Sequence, residues 1–246
     1  MADTEHAFDL AVDELEHLLA EGDIEIEGRM PHSSNATFLV TVTGEGDERP
    51  CHKAIYKPGR GERPLWDFPP DLYKREVATY RLAAALGWDV VPPTVIGSGP
   101  YGEGSVQAFV DADFAEHYFT LFEDGIGIDD FKLLCALDII ANNTDRKSGH
   151  CLLARNGRIY GIDHGLSFHA EFKLRTVIWE FADEPLGDDL AADITRFLDE
   201  GPPVELLTLL DPFERDAMLA RAKALLDSGV FPADRSGGYR YPWPLV

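Results

Sequence analysis

The chain has 246 residues, enough for one large domain or two small ones, and its 45% hydrophobic and 27% charged content is that of an ordinary globular protein rather than a disordered one. A formal charge of −22, from 44 acidic and 22 basic residues with no basic block, excludes a nucleic-acid-binding surface and opposes stable association with anionic membranes. No apolar run approaches the roughly 20 residues that span a bilayer, and the acidic start Met1-Ala2-Asp3-Thr4-Glu5-His6 lacks the pattern of a secretion signal, so a cytoplasmic location is expected.

Apolar positions Phe8, Val12, Leu15, Leu18 and Leu19 at helical spacing predict a helix over residues 5–21, stopped by Gly22. Strands follow at 24–28 and 37–42, joined by the polar link 30–36, and a third strand at 52–57 stops at Pro58-Gly59. Asp71 is a candidate cap for a helix that ends at Gly87. Residues 90–96 and 104–110 read as extended. Beyond them the pattern changes from mainly strand to mainly helix, which suggests two lobes. An apolar helix is predicted over 129–142, then a hairpin whose strands 151–154 and 158–161 turn at Asn156-Gly157. Helices at 190–198, 204–210 and 212–228 lead to a Gly-, Tyr- and Pro-rich tail, 236–244, expected to be coil. Cys51, Cys135 and Cys151 are scattered without metal-site spacing and are expected to be reduced, buried thiols.

The hairpin brings chemistry together. Asp145 precedes its first strand and Asp163 follows its second, so both carboxylates emerge at the same end of the ribbon. Phosphoryl transfer needs one carboxylate to orient or deprotonate the attacking group and another to hold the magnesium that bridges a nucleotide's phosphates. In the first half, the amides and hydroxyls of a Ser33-Ser34-Asn35 turn can face an anion, although a solvent-exposed turn explains the same residues. Lys57, at the end of an apolar strand, suits a phosphate contact or a stem that snorkels to the surface. Glu76 on the following helix can pair with Lys57 or occupy a solvated face.

Taken in order, Ser33-Ser34-Asn35-Ala36-Thr37-Phe38, Tyr56-Lys57-Pro58, Arg75-Glu76-Val77-Ala78-Thr79-Tyr80, Val91-Pro92-Pro93-Thr94, Gly104-Ser105-Val106-Gln107-Ala108-Phe109-Val110, Asn143-Thr144-Asp145-Arg146 and Ile162-Asp163-His164-Gly165 resemble the phosphatidylinositol-kinase-like superfamily. The branch most similar holds the type II phosphatidylinositol 4-kinases and the bacterial persistence-toxin protein kinases. The resemblance runs from about residue 30 to 168 and implies an α+β, two-lobed protein-kinase-like fold. Residues 1–110 would form an antiparallel-sheet N-lobe with one main helix, and residues 111–246 a mainly helical C-lobe. It further implies ATP as cofactor, with Ser33, Ser34 and Asn35 in the phosphate loop and Lys57 on the phosphates, aimed by Glu76. Gln107, Phe109 and Val110 would supply the adenine-reading edge, Asp145 the catalytic carboxylate and Asp163 the magnesium ligand.

Five residues after Asp145 the family usually places Asn as a second metal ligand, and this chain has His150. Magnesium prefers oxygen, whereas imidazole suits softer ions and manganese is intermediate. His150 is therefore a candidate ligand for an altered metal site, with manganese as an option. It can equally contact phosphate, form a plain hydrogen bond, or leave one metal position empty. Gly165 is expected to supply a positive φ after Asp163-His164. The function implied is phosphoryl transfer to a protein or small-molecule hydroxyl rather than to lipid. The alternatives are a nucleotide-binding pseudokinase or scaffold, a nucleotidyl transferase on the same fold, and an acidic hydrolase working without Lys57.

Overall fold

A computed structural model describes residues 8, 10–31, 33, 35–46, 49–235 and 240–245. Helix α1 (Val12–Glu21) carries Leu15, Leu18 and Leu19 on its buried side, and the Gly22 amide closes it onto the Leu18 carbonyl at 2.9 Å. It is shorter than the helix expected over 5–21. Phe8 packs its ring against Tyr160, centroids 5.8 Å apart, instead of extending the helix, and residues 1–7 and 9 lie outside the described residues.

Strands β1 (Asp23–Arg29), β2 (Phe38–Thr43), β3 (Cys51–Pro58), β4 (Thr94–Gly99) and β5 (Gly102–Ala108) form one antiparallel sheet in the order β1-β2-β3-β5-β4. Alternation puts Val40, Val42, Ala54, Tyr56 and Val106 in one cluster with the leucines of α1. Lys57 falls on the other face of β3. There it meets helix α2 (Leu72–Leu86), which ends as expected at Gly87, φ +80°. Asp71 caps differently from expectation: it is left-handed (φ +67°) and pairs with Lys74 at 2.8 Å. The first amides of α2 donate instead to the Glu62 carboxylate, Leu72 at 2.9 Å and Tyr73 at 2.7 Å. The extended stretch 90–96 joins the sheet only from Thr94, because Pro92 and Pro93 have no amide to give. At its other end β5 stops at Ala108, leaving Phe109 and Val110 just beyond it.

The second half contributes α3 (Tyr118–Glu123), α4 (Ile128–Ala141), β6 (Cys151–Leu153), β7 (Ile159–Gly161), α5 (Asp188–Glu200), α6 (Val204–Leu207) and α7 (Pro212–Ser228). Six-residue α3 is too short to show a helical period, and it holds its start through reciprocal bonds between His117 and Thr120. α7 begins where Pro212 predicts, with the Asp211 carboxylate accepting from the amides of Phe213 (2.7 Å) and Glu214 (3.0 Å).

The β6–β7 ribbon turns at Asn156-Gly157, and its two faces serve two cores. Cys151 and Ile159 enter the large helical cluster, whereas Leu152, Ala154 and Tyr160 enter the cluster beneath the sheet. α2 crosses in the opposite sense, burying Ala78, Tyr80, Leu82, Ala83 and Leu86 with α4, α5 and α7. The change in chain pattern near residue 110 is thus bridged by buried side chains in both directions. Of the three free thiols, Cys135 and Cys151 are buried as expected. Cys51 is exposed because it begins β3 ahead of the stretch that pairs with β5, on the face away from α1.

Truncating Leu152→Ala should lower the unfolding free energy by about 2–5 kcal/mol, the cost of a cavity in a packed core, measured by urea denaturation. A loss within about 0.5 kcal/mol, typical of a surface site, would mean that the ribbon does not join the two clusters.

Candidate active site

Asp138 is a single carboxylate inside the apolar run of α4, 1% exposed, and it exists there because Arg146, 0% exposed, meets it side-on. Arg146 Nε donates to Asp138 Oδ2 at 3.0 Å and Nη2 to Oδ1 at 2.9 Å, a paired geometry that suits guanidinium and carboxylate. The same guanidinium donates to the Ile162 carbonyl (2.8 Å) and to His164 Nε2 (2.6 Å). One buried side chain therefore fastens α4 to the loops on both sides of the ribbon. Gly161 permits this approach: a Cβ there would stand 2.6 Å from Leu134 and 3.2 Å from Arg146. Asn143 completes the loop, donating to Asp138 Oδ1 (3.0 Å) and accepting from the Asp145 amide (3.0 Å).

Asp163, two residues past β7, takes φ +60°, a left-handed conformation that Asp tolerates better than most residues. The positive φ expected at Gly165 is thus found at Asp163. Gly165 serves a different need, since a Cβ there would sit 3.3 Å from Glu76 Oε1. The Asp163 carboxylate lies 2.9 Å from Lys57 Nζ, and Glu76 takes the same ammonium from the α2 side while its Oε2 accepts from the His164 amide at 2.8 Å. Lys57, Glu76 and Asp163 arrive from β3, α2 and the loop after β7. Burial alone would lower the Lys57 pKa, but Asp163 and Glu76 together outweigh it and hold the ammonium charged. In turn the Lys57 ammonium holds the Asp163 carboxyl well below the usual carboxylate range.

Asp145 lies on the loop before the ribbon, where burial pushes its pKa up against the pull of Lys147 Nζ, 3.1 Å away. His150 places Nε2 3.5 Å from Asp163 Oδ2, and burial lowers its pKa to about 4, so the ring is neutral. His164 is neutral too. Burial comes first, then Arg146, whose guanidinium can only donate to its ring. Among the described residues no group of three or more His, Cys, Asp and Glu side chains gathers to hold a metal ion. Magnesium is commonly held by one or two carboxylates plus phosphates and water, and the ionised Asp163 beside Lys57 fits a cation bound in that way.

The remaining expected residues sit around this centre rather than in it. Asn35 Oδ1 accepts from the Arg63 amide (2.9 Å), and the Ala36 amide donates to Gly61 (3.1 Å). Asn35 and Ala36 therefore pack on the turn that follows Lys57-Pro58. Ser34 lies outside the described residues. Gln107 is buried and donates to Thr94 Oγ1 at 2.8 Å, the Phe109 amide donates to Lys53 at 2.9 Å, and Val110 packs in the sheet cluster. A depression of about 540 Å³ lined by Ala20, Gly22, Ile24, Ile96 and Ser98 lies on the α1 side of the sheet, away from Lys57.

Sequence reasoning missed three supports of this centre. Lys147 is one, and the Arg146–Asp138 pair is another; its trace is a lone acid in an apolar helix. The third is Arg75, beside Glu76, which donates to the Ser167 carbonyl (3.0 Å) and forms a buried pair with Glu214 of α7.

No protein-family model matches the chain. The chain is 37% identical over 264 residues to Protein Rv2133c of Mycobacterium tuberculosis, covering 92% of this chain and 94% of that one, and it belongs to the same family. Among solved structures, the Golgi casein kinase with Mn/ADP bound matches with a TM-score of 0.60 at 17% identity, over 96% of this chain and 80% of that one. Hydra Fam20 with sugar gives 0.56 at 13% identity, over 90% and 88%. At such identities the likeness is one of fold: the chain has the two-lobed, kinase-like α+β architecture that its sequence led one to expect. It does not single out the phosphatidylinositol-kinase-like branch to which the motifs point.

Asp138→Ala, which leaves Arg146 charged and unpaired in the core, should cost about 3–5 kcal/mol in chemical denaturation. Acid should weaken the fold through His150. Its folded pKa of about 4 lies below its value in the unfolded chain, so between about pH 6.5 and 4 the unfolded chain binds the extra proton and stability falls as pH falls. His150→Gln should flatten that slope in denaturation curves across the window, and an unchanged slope would refute the assignment.

Proposed function

We propose that this member of the Rv2133c family is an ATP-dependent phosphotransferase acting on a hydroxyl of a protein or small molecule. The observation that carries the reading is the Lys57 ammonium, held between Glu76 and Asp163 by three chain segments that meet only in the folded protein. Such an assembly is costly to build for structure alone. It gives a chain of charge −22 a fixed positive point beside an ionised carboxylate, which is what a nucleotide's phosphates require.

In this reading ATP supplies the phosphoryl group and a divalent cation, magnesium or manganese, supplies positive charge between the phosphates. Lys57 binds phosphate oxygens, and Glu76 keeps its ammonium aimed. Asp163 holds the cation. Asp145 accepts a hydrogen bond from the acceptor hydroxyl and orients it for in-line attack; its burial raises its affinity for the departing proton. Lys147 brings a second positive charge to that loop. The Ser33-Ser34-Asn35 turn offers backbone amides to the phosphates, and the chain at Phe109 and Val110 supplies the adenine edge while Gln107 braces β5 against β4. On this view residues 1–110 act as the nucleotide-holding N-lobe and 111–246 as the lobe of the catalytic and metal-binding loops. Among the described residues no helix is long and apolar enough to cross a membrane. The net negative charge favours a protein or small polyol over an anionic bilayer lipid as acceptor.

Incubation with terminally labelled ATP and each of magnesium and manganese tests the proposal. Wild type should label itself or an added acceptor, while Lys57→Met and Asp163→Ala should each reduce transfer by about 100-fold or more. Release of labelled phosphate to water that persists undiminished in Lys57→Met would favour the hydrolase instead. Adenylate appearing on the acceptor would indicate nucleotidyl transfer, and nucleotide-induced stabilisation without turnover would indicate a pseudokinase.

A further inference from the structure

His150 stands at the position from which a second metal ligand is expected, yet its ring is turned the wrong way for that task. The Lys147 amide points at His150 Nδ1 from 3.3 Å. An amide nitrogen can only donate, so Nδ1 presents its lone pair and the proton of the neutral ring sits on Nε2. Nε2 is the atom that faces Asp163 Oδ2, at 3.5 Å. A nitrogen that carries a proton has no lone pair to offer a cation.

The backbone holds this orientation from both sides. The His150 amide donates to the Lys147 carbonyl at 3.1 Å. Its own carbonyl accepts from the Ile162 amide at 2.9 Å and from Arg146 Nη1 at 3.3 Å. Positive charge is also plentiful here: Arg146 and Lys147 flank His150, and the Lys57 ammonium already shares Asp163. A second divalent cation would enter against those charges, and the two loop carboxylates that could receive it, Asp163 and Asp145, are already engaged by Lys57 and Lys147.

We infer that His150 is a hydrogen-bond donor, directed at Asp163 and at a nucleotide phosphate oxygen, and that the site consequently takes one divalent cation, on Asp163, rather than two. The inference rests on the nucleotide-binding reading given above. His150 is on this account a positioning residue that keeps the Asp163 carboxylate aimed.

Counting manganese bound to the protein at saturating ADP, by the paramagnetic resonance of the free ion, tests it without requiring turnover. Wild type should bind one manganese per ADP, and its electron spin echo should carry no modulation from a ligated imidazole nitrogen. His150→Asn, which replaces the N–H with a side chain bearing an oxygen donor, should bind two. Two ions in wild type, an imidazole signal that vanishes in His150→Asn, or a single ion retained in His150→Asn would each overturn the inference. Should His150→Asn fail to fold, the wild-type count and echo decide alone. Failure of wild type to bind ADP, with or without manganese, would instead remove the nucleotide reading itself, and this inference with it.

Discussion

The buried pair of Arg146 and Asp138 is the constraint on which the site depends. Neither charge reaches water, and each would be strongly destabilising alone. Together they fix the end of α4, and the guanidinium's spare donors then reach the Ile162 carbonyl and the His164 ring. The loop bearing Asp145 and the loop bearing Asp163 consequently share one anchor. Their relative placement follows from hydrogen-bond geometry at a single planar group, with little left to the length or stiffness of the loops.

A second consequence is electrostatic. A chain with twice as many acids as bases places Lys57, Arg146 and Lys147 about two carboxylates, Asp145 and Asp163. Opposed perturbations separate those carboxylates. Asp163, beside the ammonium, stays ionised; Asp145, partly buried and farther from it, is more basic. Two acids of the same type thereby differ in proton affinity, which in the proposed reading suits one to hold positive charge and the other to handle a proton.

Much of the architecture was legible where the chain carries punctuation. Gly87, Asn156-Gly157 and Pro212 mark boundaries that the fold observes, and two short apolar stretches, 151–154 and 158–161, about the Asn-Gly turn indicated the ribbon that β6 and β7 form. Lys57 and Glu76 are paired as the order of elements suggested. What stayed hidden depends on three dimensions. A buried Arg146 reads like any surface arginine until its partner eight residues earlier is known. Glu62 takes over the capping of α2 from Asp71 across an irregular loop, which no local pattern announces. The φ of Asp163 is imposed by bonds on either side of it, and the glycine two residues later invited the wrong assignment.

The bond from Arg75 to Glu214 spans 139 positions of sequence. Since α2 also buries its apolar side against helices from the last third of the chain, the carboxylate of Glu76 has no fixed address until those helices exist. A ribosome that has delivered every residue up to Asp163 has therefore not yet supplied the helix that braces α2 beside Lys57 and Asp163. That brace arrives late in synthesis, when α7 emerges and docks, so an interrupted translation product carries Lys57, Glu76 and Asp163 without the helix that Arg75 grips.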